Sequence, residues 1–109
     1  MSNKSAIIPG NTKVETSTSE TLVIAAADTA SRKHKVKSVN LVFSGAITIK
    51  FQDGSTDLTG AMEFTNGGSL VLGPEQCGGL QTSANAALNL VVARTSGSVR
   101  GNVEYVTGF

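Results

Sequence analysis

Two apolar-alternating runs joined by a short turn limit what this chain can fold into. Val39, Leu41 and Phe43 recur at every second position, Ser44-Gly45 follows, and Ile47, Ile49 and Phe51 resume the alternation. Side chains on a strand point alternately to opposite faces, so each set lines one side of a sheet. Ser-Gly supplies the small, φ-permissive residues of a tight turn. The stretch reads as a β-hairpin with one buried face, followed by a second turn at Asp53-Gly54. Upstream, the step from Val36 to Val39 slips the alternation by one place. A β-bulge near Lys37-Ser38 would absorb that slip.

The same signature recurs in shorter pieces. Val14, Thr16 and Thr18 alternate in a short edge strand over 13–19, and Leu22 and Ile24 share a face over 20–27. Leu58 and 61–64 give another short strand, and 69–72 one more after the Asn66-Gly67-Gly68 turn. Residues 73–85 are irregular. Leu88, Leu90 and Val92 align before the turn at 95–97, and Val99, Gly101, Val103 and Tyr105 share the face of the last strand. Gly101 weakens that strand unless a backbone or a ring packs over it. No segment sustains a 3.6-residue period, which predicts little helix. About eight strands with turn signals every 8–12 residues point to a β-sandwich or barrel. The expected fold is all-β: one jelly-roll-like sandwich domain over 13–109.

Residues 1–12 read as a flexible N-terminal arm, polar apart from Ala6, Ile7 and Ile8 and broken by Pro9-Gly10. Two readings stand for the Ile7-Ile8 pair. The arm tucks back on its own domain, or it docks on a neighbouring subunit.

Chemistry is sparse. The net charge is +1 and only 16% of residues are charged, which gives no general drive toward nucleic acid or anionic membrane. The one basic segment holds Arg32, Lys33, Lys35 and Lys37 around His34. It reads as a solvated turn with an exposed histidine. Its sharper reading makes Arg32, Lys33 and Lys35 contacts for an acidic partner. The single cysteine, Cys77, can form no internal disulfide, and it is a nucleophile only if the fold brings a histidine to it. Asp53-Gly54-Ser55-Thr56-Asp57 lacks the repeated acids and closing Glu of a calcium loop. Neither Gly-Gly pair belongs to a phosphate-binding motif. The expectation is no catalytic residue, metal or cofactor, no secretory signal, and no apolar run near the roughly 20 residues of a membrane helix.

Several segments together resemble one family. They are R-K-H-K-V-K-S-V-N-L-V-F from Arg32, A-I-T-I-K-F-Q-D-G from Ala46, D-L-T-G-A from Asp57 and G-G-S-L-V-L-G-P from Gly67. A-N-A-A-L-N-L from Ala84 and S-V-R-G-N-V-E-Y-V from Ser98 complete the set. The pattern is similar to small accessory proteins of tailed-bacteriophage virions, and above all to capsid decoration, or cement, proteins. It covers roughly 32–106; the first thirty residues do not match. The resemblance implies a non-enzymatic protein of the virion, a dimer or trimer bound to the major capsid protein on the outer surface of the phage head. It carries over no catalytic residue. A tail or fibre component, including a receptor-binding one, and a small glycan- or ligand-binding β-module are the alternatives.

Overall fold

The computed structural model describes residues 8–28, 31–75, 77 and 80–108. Nine strands run through them: β1 (Ile8–Thr16), β2 (Glu20–Ala25), β3 (Lys33–Ser44), β4 (Ile47–Asp53), β5 (Thr56–Asp57), β6 (Met62–Phe64), β7 (Gly68–Leu72), β8 (Leu88–Arg94) and β9 (Ser98–Gly108). Every pairing is antiparallel. One sheet has the order β1-β9-β3-β7; the other has β2-β8-β4-β5, with β6 also on β4.

The pairing follows one rule. β1 meets β9, β2 meets β8, β3 meets β7 and β4 meets β6. The chain is thus one long antiparallel ribbon whose outgoing half is matched by its returning half. Rolling that ribbon adds the β3·β9 and β4·β8 pairs and closes two sheets over one core. This is the strand order of the jelly roll. The fold is an all-β sandwich, as the turn spacing predicts. The ninth strand arises because the stretch after the Asp53-Gly54 turn splits into β5 and β6.

The alternation places the core. Val14, Val39, Leu41, Phe43, Val99 and Val103 line the inner face of the first sheet. Ile47, Ile49, Phe51, Leu88, Leu90 and Val92 line the second, and all are buried. Phe43 stacks on Phe64 from the opposite sheet, with ring centroids 4.2 Å apart. Along β3·β9 the register shifts between Val36 and Ser38, so Lys37 is the extra residue of a bulge and the slip is absorbed where the sequence requires it. Gly101 has φ +144°, and a Cβ there would lie 1.9 Å from the Asn40 carbonyl oxygen. A neighbouring backbone is what packs over it.

Two expectations need correction. β1 begins at Ile8 and pairs with β9 from the Ile8–Thr107 position onward, so 8–12 belong to the sheet and not to an arm. Residues 1–7, including Ile7, lie outside the described residues. Pro9 is compatible with β1 because β1 is an edge strand, the place in a sheet where proline is accepted. Gly10 is needed because the Tyr105 ring packs onto it: a Cβ would sit 2.3 Å from that ring. The second correction concerns the basic segment. It is the start of β3 and not a turn, and His34 is buried at 4% exposure.

Candidate interaction surfaces

Of the predicted contact residues, Ile8, Lys33 and Lys35 gather at one end of the β1-β9-β3-β7 sheet. Lys33, Lys35 and Ile8 pair through β9: Lys33 faces Gly108, Lys35 faces Val106, and Ile8 and His34 both face Thr107. Alternation turns His34 toward the inner side and Lys33 and Lys35 toward the outer one. Ile8 lies two strands from His34 and is 45% exposed. Arg32 stands apart from this group, because its Nε donates to the Asp28 carboxylate at 3.2 Å.

His34 is held by partners distant in sequence. Its Nε2 lies 2.6 Å from the Ala26 carbonyl oxygen. That oxygen can only accept, so Nε2 carries the proton. In the neutral ring Nδ1 then accepts from the Thr107 hydroxyl at 2.8 Å. Tyr105 packs edge-on against the ring. With both nitrogens satisfied, burial of the imidazole carries no unpaired polar group.

The irregular segment after β7 closes this end. Thr82 N–H donates to the His34 carbonyl at 2.8 Å, and His34 N–H donates to Thr82 Oγ1 at 3.0 Å. Val36 N–H donates to the Leu80 carbonyl at 2.8 Å. Cys77, within this segment, is fully buried, and burial pushes its thiol pKa up. A raised pKa removes thiolate, and both His34 nitrogens are already engaged. Neither feature favours a nucleophile–base pair.

The carboxylates of the Asp53–Asp57 turn are also engaged. Asp53 accepts from Ser83 N–H at 2.9 Å. Asp57 accepts from Gln52 at 2.8 Å and pairs with Lys50 at 3.1 Å. Those two interactions, Gln52 first, hold its carboxyl below the usual range. Among the described residues no group of three or more His, Cys, Asp or Glu is placed to hold a metal ion. At the β1–β2 turn a depression of about 440 Å³ is lined by Glu15, Ser17, Ser98 and Arg100 among others. Glu20, at its wall, accepts hydrogen bonds from the Thr16 and Thr18 hydroxyls, which lower its pKa.

Apolar surface is exposed at a different place. Val42 on β3 and Val71 on β7 are 57% and 68% exposed. They lie on the outer face of adjacent strands, Val42 opposite Ser69 and Val71 opposite Asn40. Sequence reading did not single these residues out. Both fall at the off-beat of an alternating run, which is the available signal, but only the strand order shows that β7 is an edge.

No protein-family model matches the chain, and no curated protein matches it. Among solved structures, the fold is similar to a chain from Bacillus endospore appendages, described as a novel family of disulfide-linked pili. The two are 11% identical over 94% of this chain and 87% of that one, with a TM-score of 0.54. That likeness establishes a shared fold. A chain of the T13 IBDV viral particle aligns at 13% identity and a TM-score of 0.46, over 96% of this chain and 32% of that one. This similarity is too low to bear on function. Among the described residues no helix is long and apolar enough to cross a membrane.

Proposed function

We propose that this chain is a non-enzymatic structural protein of a tailed-phage particle, a decoration protein bound to the outer surface of the major capsid protein shell. The observation that carries the proposal is the set of segments between Arg32 and Val106 that resemble such proteins, which contribute to strands β3, β4, β5, β7, β8 and β9 of the sandwich. A second observation supports it: the reactive side chains at the lysine-rich end are tied into the fold, while Val42 and Val71 stand exposed. The mechanism is adhesive. A pre-folded sandwich bridges neighbouring shell subunits and buries added surface at their junctions. A low density of charge reduces what desolvating that surface costs.

A chain of disulfide links would not hold this protein to its neighbours. The similar fold in the Bacillus appendages serves a disulfide-linked pilus. This sequence has one cysteine, and Cys77 is buried with a raised pKa. A lone buried thiol cannot link a chain to two neighbours.

The contacts we assign to the shell or a sister subunit are Ile8, Lys33 and Lys35, which share one end of the sheet, together with residues 1–7 that precede them in sequence, and Arg32 as a flanking contribution. Burying Ile7 and Ile8 on a neighbour contributes about 3–5 kcal/mol by area, before the cost of ordering the segment. The test removes residues 2–7 and leaves β1 intact. The truncated protein should melt like the full chain and attach to particles at least about tenfold more weakly, a loss of about 1.4 kcal/mol or more. Unchanged attachment would remove these residues from the interface.

A further inference from the structure

A sheet edge presents unpaired N–H and C=O groups, and proteins blunt such edges with charge, proline, bulges or short strands. Among the described residues three of the four sheet edges are blunted. β1 carries Pro9, Lys13 and Glu15. β2 has a register shift between Val23 and Ala25, and its Ile24 carbonyl already accepts from Thr12 Oγ1 at 2.6 Å. The edge beyond β4 is broken into β5, of 2 residues, and β6, of 3, and these carry Asp57 and Glu63.

β7 differs on each count. Gly68-Ser69-Leu70-Val71-Leu72 has no charge and no proline, and it pairs with β3 without a register shift. Val71 and the neighbouring Val42 are exposed on the outer face, and Leu70 and Leu72 are half-buried on the inner one. Among the described residues no strand lies beyond it.

We infer that β7 is a self-association edge, paired antiparallel with β7 of a second copy across a two-fold axis. The occupant follows from the edges themselves. Pairing β7 with any other edge of this molecule would set it against a proline, a bulge, a broken strand or a charge. Another β7 offers five uncharged residues to five. With the axis at Leu70, Val71 of each copy stands opposite Ser69 of the other, and the two Val71 side chains are diagonal neighbours on one face. The two four-stranded sheets become one continuous sheet. An isologous contact of this kind closes on itself and does not propagate. A five-residue edge buries less than the roughly 1,600 Å² of a standard interface, so the free pair is weak, with Kd on the order of 10–100 µM. Holding both copies on a larger assembly raises their effective concentration and tightens the contact.

The test needs no particle, so its outcome is separate from that of the shell-binding proposal. Sedimentation of the purified protein from about 1 µM to about 1 mM should show the mass rising from one copy to two. Val71→Lys and Val71→Glu should each weaken association at least about tenfold, because like charges meet across the axis. Their melting temperatures should stay near the native value, since Val71 is exposed. An equimolar mixture of the two variants should associate again. A native protein that stays monomeric across the range overturns the proposal. So does a Val71→Lys variant that associates as the native does, or a mixture that stays monomeric.

Discussion

Gly101 shows how far one residue can be specified by its neighbours. Its φ of +144° lies where side chains are rarely found, and a Cβ would sit 1.9 Å from the Asn40 oxygen and 2.9 Å from Leu41 Cα. The obstacle is backbone in the next strand, which cannot rotate away. Gly101→Ala should therefore destabilise the fold by about 2–3 kcal/mol in urea melts. Gly54 provides the contrast. It also has positive φ, +60°, but nothing lies within 4 Å of its would-be Cβ. Gly54→Ala should cost only about 1 kcal/mol, the conformational term alone. Equal losses at the two sites would mean that steric overlap at Gly101 is relieved in solution. His34 is specified in another way, by two hydrogen bonds inside the sandwich. His34→Leu keeps the apolar packing but strands the Ala26 carbonyl and the Thr107 hydroxyl, and should cost about 1–3 kcal/mol. A leucine variant as stable as the native protein would show that those bonds add nothing net.

At the scale of elements, the alternating runs of β3, β4, β8 and β9 were legible, because each buries one face and the period of two is unbroken over several residues. The bulge at Lys37 was legible for the same reason: a slip in an otherwise strict alternation has to be absorbed somewhere. The start of β1 was not. Pro9-Gly10 carries a strong turn signal, and only its position at a sheet edge, beside Tyr105, makes both residues compatible with a strand. The burial of His34 is not legible because its sequence neighbours are basic, while the Thr107 and Ala26 atoms that allow it arrive through β9 and the β2–β3 connection. The candidate contact residues were named from local composition, and what the fold adds is that Ile8, Lys33 and Lys35 share one end of a sheet. The β7 edge was unreadable without the strand order.

Element junctions also set a pH response. Glu20 at the β1–β2 turn and Asp57 on β5 both have carboxyl pKa values lowered in the folded chain, the first chiefly by Thr16 and the second chiefly by Gln52. Such groups favour the folded state above their ordinary unfolded pKa, and that contribution disappears as pH falls through the lower folded value. A Glu20→Gln, Asp57→Asn double variant should melt slightly below the native protein at pH 7, with the gap closing below about pH 4. Both groups are exposed, so the gap is small. A gap that widens on acidification would reverse the assigned sign.

The whole molecule is a rolled ribbon with a lysine-rich end that also holds Ile8, and a bare edge at β7. Neither feature is a catalytic constellation, and each suits contact with another protein surface. If the lysine-rich end meets the shell and β7 meets a sister copy, one small sandwich both anchors to a surface and links positions across it. That arrangement requires many copies in a regular relation to the shell. The most direct measurement is the copy number and location of this chain in purified particles, by quantitative mass spectrometry and electron cryo-microscopy. The account predicts density on the outer head surface and a fixed, simple ratio to the major capsid protein. A handful of copies confined to the tail, or particles that lack the chain altogether, would contradict it.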